Sequence, residues 1–493
     1  MISLVILLCL AQSSHQNSFV HPQGYFNNEL QFADADGDGD LDLFVAIYTD
    51  GRRFIDVYHQ HLNVFSATPQ QHIEIPRGVV AWATGNFLPE EGGDELIFTA
   101  SRGVYVRNAT GRTTLLSRES LLLDVPFTFS APLLNTVADI DNDGLPEMVV
   151  ITTSGYQIIQ HDGVVSGVID IKPKTMTAPV AASSWMDGRV RPSLSGQRLS
   201  SLFVPNEGVG VLLYPPALYS SVELPAPVWA DVNGDGLLDL SYVNENQLFV
   251  HLQSANHSFL QQADRVYPLP KGDKSNIEQL EWLPISGKAQ ADLLFVSSRD
   301  DILSQTRPWL IKLFIDPWQK KDLNVADATF KAQSTALGVQ LLDINGDGLL
   351  DVCKSNWSLD LGLFVRSGSP KLVHVASAIL GKEGGWQSRS AFAEKRSMNF
   401  DDIESLVATD SFAPSLTSNG LPDLVEISDA GSFRVRQFEV TEGAIGVADS
   451  NTIDLPLQAL DASVKVKSLN SDNISDIVII RSGSIEIYLS VIK

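Results

Sequence analysis

The stretch FADADGDGDLDLFVAI, Phe32–Ile47, decides the fold. It opens on an apolar run, carries aspartate at every second position from Asp34 to Asp42, and ends in aromatic and β-branched residues. Runs of the last kind read as strands, and Asp and Gly between them read as a tight turn. The pattern recurs as VADIDNDGLPEMVVI (Val137–Ile151), WADVNGDGLLDLSYV (Trp229–Val243) and LLDINGDGLLDVC (Leu341–Cys353). The shared core is D-x-[DN]-x-D-G-x-x-[DE].

Weaker copies keep the last acid of that core and the strand after it, at Glu95, Asp292, Asp423 and Asp476. A further copy, RLSSLFVPN, has Ser201 in the acid's place. Taking that last position as a marker, successive copies lie 53, 52, 54, 38, 53, 59, 72 and 53 residues apart. A period near 53 is one supersecondary unit, the size of a four-stranded sheet. No long stretch of helical period interrupts the units, so the class is all-β. Repeated small sheets have faces and edges to cover, and radial closure covers both. The expected fold is a β-propeller of four-stranded antiparallel blades. Nine markers, one of them weak and one gap short, give eight to nine blades within a range of seven to nine. The last unit supplies three strands (Val464–Leu469, Ile477–Arg481 and Ile485–Val491), so an N-terminal strand near Ser18–His21 is expected to pair with it and close the ring. Lys382–Asp402, inside the longest gap, reads as irregular.

Oxygens at positions 1, 3 and 5 of the loop can converge on one point. Gly at position 6 permits the turn, and the acid at position 9 completes a shell of hard oxygen ligands, which suits Ca²⁺. The candidate metal ligands are Asp34, Asp36, Asp38 and Asp42; Asp139, Asp141, Asp143 and Glu147; Asp231, Asn233, Asp235 and Asp239; and Asp343, Asn345, Asp347 and Asp351. About four structural Ca²⁺ sites are expected. An EF-hand needs a bidentate Glu at position 12. Val45, Val150, Tyr242 and Lys354 stand there, so the loop joins two strands instead. The plain alternative is that Asp, Asn and Gly are ordinary turn residues; four full copies at matching places in a repeat weigh against it.

These loops, each followed by an apolar strand, resemble the FG-GAP repeat of integrin α-subunit N-terminal propellers and the related VCBS repeat of secreted proteins. Among such proteins the chain is similar to T-cell immunomodulatory protein-like ectodomains. The resemblance implies a propeller with Ca²⁺ in the loops between the first two strands of a blade, and a role in adhesion or ligand binding.

Composition agrees with a folded chain: 44% of residues are hydrophobic and 19% charged, with a net charge of −24. Fifteen of the acids lie in the four full loops. The balance argues against nucleic acid as a partner. Of two cysteines, Cys9 lies in the apolar run Ile2–Leu10, which reads as a secretory signal peptide over 1–13. Residues 14–493 then form a single propeller domain. Cys353 is left without a disulfide partner. No segment is apolar enough to span a membrane, and sequons at Asn108, Asn256, Asn356 and Asn473 suit a secreted glycoprotein.

Other residues carry weaker signals. Phe32, Val137, Trp229, Trp282 and Leu341 precede their markers by ten residues, with Trp82 and Trp185 in similar places; packing between blades explains them better than a sugar-binding ring. His59, His61 and His72 alternate along strands as a metal trio would, although a solvated strand face accounts for them. The functional expectation is a secreted calcium-binding module for an extracellular protein or glycan. The alternative is a polysaccharide lyase or sugar dehydratase on a calcium-stabilised propeller. That enzyme would need His251, Tyr242 or Arg189 to meet in one pocket, and the lack of a catalytic constellation favours binding.

Overall fold

A computed structural model of the chain describes residues 14–491 except 119–132, 134–135, 172–173, 181–216, 224–226, 270–274, 300–305, 361–370, 400–411, 417–419, 428–431, 442–443, 449–452 and 457–462, and, singly or in pairs, 91, 101, 153–154, 245, 471, 473 and 482. The expected leader therefore lies outside the described residues.

Eight antiparallel sheets follow one another along the chain. Their second strands, each beginning at a marker acid, are Asp42–Thr49, Glu95–Ala100, Glu147–Thr152, Asp239–Asn244, Asp292–Arg299, Asp351–Asp360, Asp423–Ile427 and Asp476–Arg481. We number the blades 1 to 8 in that order. The first strand precedes each Asp-rich loop, as Tyr25–Ala33 does in blade 1, and a third and fourth strand continue the meander, there Arg52–Tyr58 and Gln71–Glu74. Blade 7 is five-stranded, because both Ala444–Val447 and Ile453–Pro456 pair with Ser432–Thr441.

Alternation explains why the second strands read as continuous apolar runs. In blade 1, Leu43, Val45 and Ile47 pack toward blade 8 with Ile480, Ile485 and Ile487, while Phe44 and Ala46 pack toward blade 2 with Trp82 and Phe98. A strand covered on both faces has no polar side to show. Each fully buried side chain of this kind contributes about 1.5–3 kcal/mol.

The hydrophobic clusters fix the blade count. Eight clusters join consecutive blades, 1 to 2 through 7 to 8, and the eighth joins blade 8 to blade 1. Eight sheets with eight shared interfaces make a closed ring. The upper expectation of nine blades is thereby corrected. Blade 3 packs directly on blade 4, with Tyr156 edge-on to Tyr242 at 6.2 Å between centroids. Asn142 also reaches Gly236 O across that boundary at 3.4 Å. Among the described residues, nothing stands between them. The chain between these blades includes a hairpin, Lys174–Val180 with Ala217–Glu223, and Ser201 lies outside the described residues.

Ring closure follows the expected scheme with a longer strand. Ser14–Val20 pairs antiparallel with Ser484–Val491 as the fourth strand of blade 8, Ser14 opposite Val491 and Val20 opposite Ile485. The expectation of an irregular Lys382–Asp402 is corrected in part. Phe392–Asn399 is the fourth strand of blade 6, and Gly381–Lys382 with Gly385–Trp386 forms a small hairpin ahead of it.

The residues ten before the markers pack between blades. Trp82 is fully buried, Phe32 and Trp282 are buried in the clusters of their interfaces, and Trp229 meets Phe259 edge-on at 6.0 Å. Trp185 lies outside the described residues.

Removing residues 1–20 should uncover the edge of Ser484–Val491 and the contacts of Val20. We expect a markedly lower melting temperature and edge-to-edge self-association, read by thermal unfolding and size-exclusion chromatography.

Candidate metal centre

The loop begins with position 1. In all four full copies its carboxylate accepts the N–H of the position-6 glycine: Asp34 from Gly39 (3.0 Å), Asp139 from Gly144 (3.0 Å), Asp231 from Gly236 (2.9 Å) and Asp343 from Gly348 (2.7 Å). Those glycines have φ between 82° and 91°, a conformation that costs glycine nothing and most residues much. Position 4 is also left-handed in every copy, at Gly37, Asn142, Gly234 and Gly346; Asn is the side chain that best tolerates that region. Positions 3 and 5 each accept an N–H two residues on, as Asp36 does from Asp38 and Asp38 from Asp40. The chain thus winds around its own carboxylates.

This winding brings like charges together. Ligand oxygens of Asp34, Asp36 and Asp38 lie within 4.8 Å of one another, as do those of Asp139, Asp141 and Asp143, so both groups can coordinate a cation. In the loops of blades 4 and 6 the acid at position 3 is Asn. There Asn233 Nδ2 donates to Asp235 at 2.9 Å and Asn345 Nδ2 to Asp347 at 3.0 Å, which relieves part of the crowding without an ion.

The marker acid has a task that the sequence did not disclose. All eight markers are between 0 and 3% exposed. One oxygen of each accepts a backbone N–H from the loop before it, at 2.6–3.0 Å: from Ala35, Phe87, Ile140, Val232, Ser286, Ile344, Leu416 and Leu469 in blade order. In at least five blades the other oxygen accepts an N–H from the end of the third strand, donated by Gln60, Gln253, Asp316, Gly381 and Ser490. One carboxylate therefore clips three stretches of chain together, and charged hydrogen bonds of this kind contribute about 1.5–3 kcal/mol each. Asp42, Glu147, Asp239 and Asp351 keep spare lone pairs for a cation, since an ionised carboxylate has about four acceptor sites. In blade 3 two buried oxygens, Asp139 Oδ1 and Glu147 Oε1, have no hydrogen-bond partner.

Burial raises these markers. Glu147 and Asp239 are pushed up to about 7, and Asp42, Asp351 and Asp476 to about 6, by loss of solvent, against the lowering effect of the N–H donors. Neighbouring loop acids push in the same direction as burial in Asp42, Glu147, Asp239 and Asp351.

The loops are also coupled around the ring. Position-1 carbonyls accept the N–H that precedes the next blade's marker: Asp34 O from Asp94, Asp231 O from Ala291 at 2.7 Å and, in a decayed copy, Ser415 O from Ser475 at 2.8 Å. Gly37 and Gly93 interlock at the first junction, where a Cβ on Gly93 would sit 2.9 Å from Gly37 N.

The three histidines do not assemble into a metal trio. His59 Nδ1 lies 3.0 Å from Asp36, and His72 Nδ1 lies 2.6 Å from the buried Asp56 and stacks on Phe54; His61 is exposed. His251 and Tyr242 stack in the interior between blades 3 and 4, and Arg189 lies outside the described residues. Of the sequons, Asn108 is buried with Oδ1 engaged by Thr110 and Arg112, whereas Asn256 sits on an exposed turn; Asn473 is not among the described residues. Cys353 is buried and free.

No protein-family model and no curated protein matches the chain. Solved structures similar to it include a chain of the Photorhabdus luminescens Tc holotoxin pore, at 12% identity and a TM-score of 0.24, covering 86% of this chain and 20% of that one. The WD40 domain of SCAP from fission yeast is 10% identical with a TM-score of 0.37, covering 96% and 94%. BBS1N, in its complex with ARL6DN, is 10% identical with a TM-score of 0.32, covering 91% and 98%. The chain spans one fifth of the length of the toxin chain.

Two measurements separate clip from ligand. Asp292→Asn, in a loop without the other acids, should cost about 1–3 kcal/mol in denaturant unfolding, equally with calcium or EDTA, because one N–H loses its acceptor. The raised markers set a pH dependence of known sign. A carboxylate whose folded pKa exceeds its unfolded value of about 4 stabilises the fold at low pH and loses that contribution as pH rises through the folded value. Metal-free protein should therefore lose melting temperature between about pH 5 and 7.5, and calcium should flatten the loss.

Proposed function

We propose that this chain is a secreted, calcium-binding β-propeller of the FG-GAP/VCBS type that serves as a binding or adhesion module for an extracellular protein or glycan. The observation that carries the calcium part is in blade 3. The carboxylates of Asp139, Asp141 and Asp143 converge there, and Asp139 Oδ1 and the marker's Glu147 Oε1 are buried without hydrogen-bond partners. An all-oxygen donor set of this size fits Ca²⁺, which takes six to eight hard ligands at about 2.3–2.6 Å. The ion offsets the mutual repulsion of the acids and holds the turn. Its role is structural: it fixes loops that touch the next blade, and so stiffens the face on which a partner would dock.

The binding part rests on architecture. A closed ring leaves loops and blade edges as its variable surface, and loops held on a rigid scaffold are where recognition is concentrated. The leader over 1–13 and the single domain over 14–493 belong to the same reading. No described helix is long and apolar enough to cross a membrane.

EDTA should lower the melting temperature and added Ca²⁺ should restore it. Asp139→Ala should remove about one bound ion by elemental analysis of the purified protein. Unchanged metal content would show that the blade 3 loop is not a site. Glycan-array or pull-down binding without turnover supports the module; release of unsaturated sugar from acidic polysaccharides would replace it with the enzyme.

A further inference from the structure

The first loop differs from the other three in one donor. Directly across the third strand from the marker acid stand His59 in blade 1, Gln160 in blade 3, Leu252 in blade 4 and Leu380 in blade 6, one step beyond the register pairs Leu43–Tyr58, Met148–Ile159, Leu240–His251 and Val352–Ile379. Among the full loops, only blade 1 offers an imidazole at this place.

That imidazole faces acid. His59 Nδ1 is 3.0 Å from Asp36 Oδ2, and a ring nitrogen of His59, an oxygen of Asp36 and an oxygen of Asp42 all lie within 4.8 Å of one another. His59 Nε2 is buried and makes no hydrogen bond. Beside it, Gln60 is 1% exposed, and neither its amide oxygen nor its amide nitrogen has a partner. These two consecutive residues therefore hold three buried polar side-chain atoms unsatisfied by protein. Position 3 is the carboxylic residue Asp36 here, where blades 4 and 6 have Asn233 and Asn345.

We propose that Asp36, Asp42 and His59 form a site for a divalent transition cation of the Zn²⁺ class, distinct in metal preference from the all-oxygen loops. Zn²⁺ takes mixed imidazole and carboxylate ligands at about 2.0–2.2 Å, which places neighbouring donor atoms roughly 3–3.5 Å apart, close to the spacing of His59 and Asp36. Imidazole favours Zn²⁺, Ni²⁺ or Cu²⁺ over Ca²⁺, whose ligands are oxygens. Two carboxylates and a neutral imidazole balance the charge of the ion. The site shares Asp36 and Asp42 with the first calcium loop, so in blade 1 it takes the place of that ion, and it leaves the calcium reading of blades 3, 4 and 6 as it stands.

Cobalt serves as a visible stand-in for zinc. The full chain, stripped with EDTA and then supplied with excess Ca²⁺, should take up one Co²⁺ with a d–d absorption band, which Zn²⁺ then bleaches. His59→Leu, the residue found at this place in blades 4 and 6, should abolish the band and weaken Zn²⁺ binding by more than about tenfold. Asp139→Ala should leave the band intact. His59→Asn, matching Asn108 in blade 2, guards against a folding failure and should behave like His59→Leu. The calcium melting shift is read separately on the same samples, so failure of one reading is distinguishable from failure of the other. A band that survives in both His59 variants, or one that Ca²⁺ erases, overturns the proposal.

Discussion

Burying a carboxylate costs several kcal/mol unless donors replace the water it loses. Every blade here buries one at the start of its second strand and meets it with backbone N–H groups. The constraint runs both ways. The acid cannot be buried unless the loop before it and, in at least five blades, the end of the third strand fold to present those donors. The loop in turn cannot leave its amides unpaired in the interior. This mutual requirement fixes where the second strand begins, and with it the register of the meander. It also explains why the marker persists in Asp292 and Asp423, where the loop has lost its other acids, and in Glu95 and Asp476, where the full pattern has decayed.

Much of this was legible in the sequence. The 53-residue period and second strands apolar on both faces specify repeated, doubly covered sheets, and a C-terminal unit short of one strand signals closure. What the sequence concealed is whatever depends on partners far along the chain. A one-dimensional pattern cannot show that Ala35 and Gln60 both donate to Asp42, so the marker reads only as a ligand. Ser201 keeps the spacing of a blade, yet Tyr156 packs on Tyr242 across that interval. Phe392–Asn399 reads as irregular because its open face carries Ala393, Lys395 and Ser397, while Glu394 and Arg396 on the inner face are held by ion pairs with Arg436 and Glu426 that lie far along the chain. His59 becomes informative only when the hairpin folds it over a loop more than twenty residues earlier.

The full loops combine two costs that a cation removes together. Their acids repel one another at the surface, and their markers are held short of full ionisation by burial. An ion lowers both at once. Because Asp34 O and Asp231 O hold the amide before the next marker, order gained in one loop is passed to its neighbour. Asn233 and Asn345 show the other solution, in which an amide donor takes over part of the cation's work at lower charge.

Strand direction has a topographic consequence. Second strands leave the Asp-rich loops, so third strands run back toward them, and Ser490 ends its strand by clipping Asp476. Ser14 lies opposite Val491 in the same blade. Residues 14 and 491 thus sit side by side on the acidic rim of blade 8. A tether, tag or further domain joined at either place would emerge beside the metal loops, on the same side of the disc, and leave the opposite side clear.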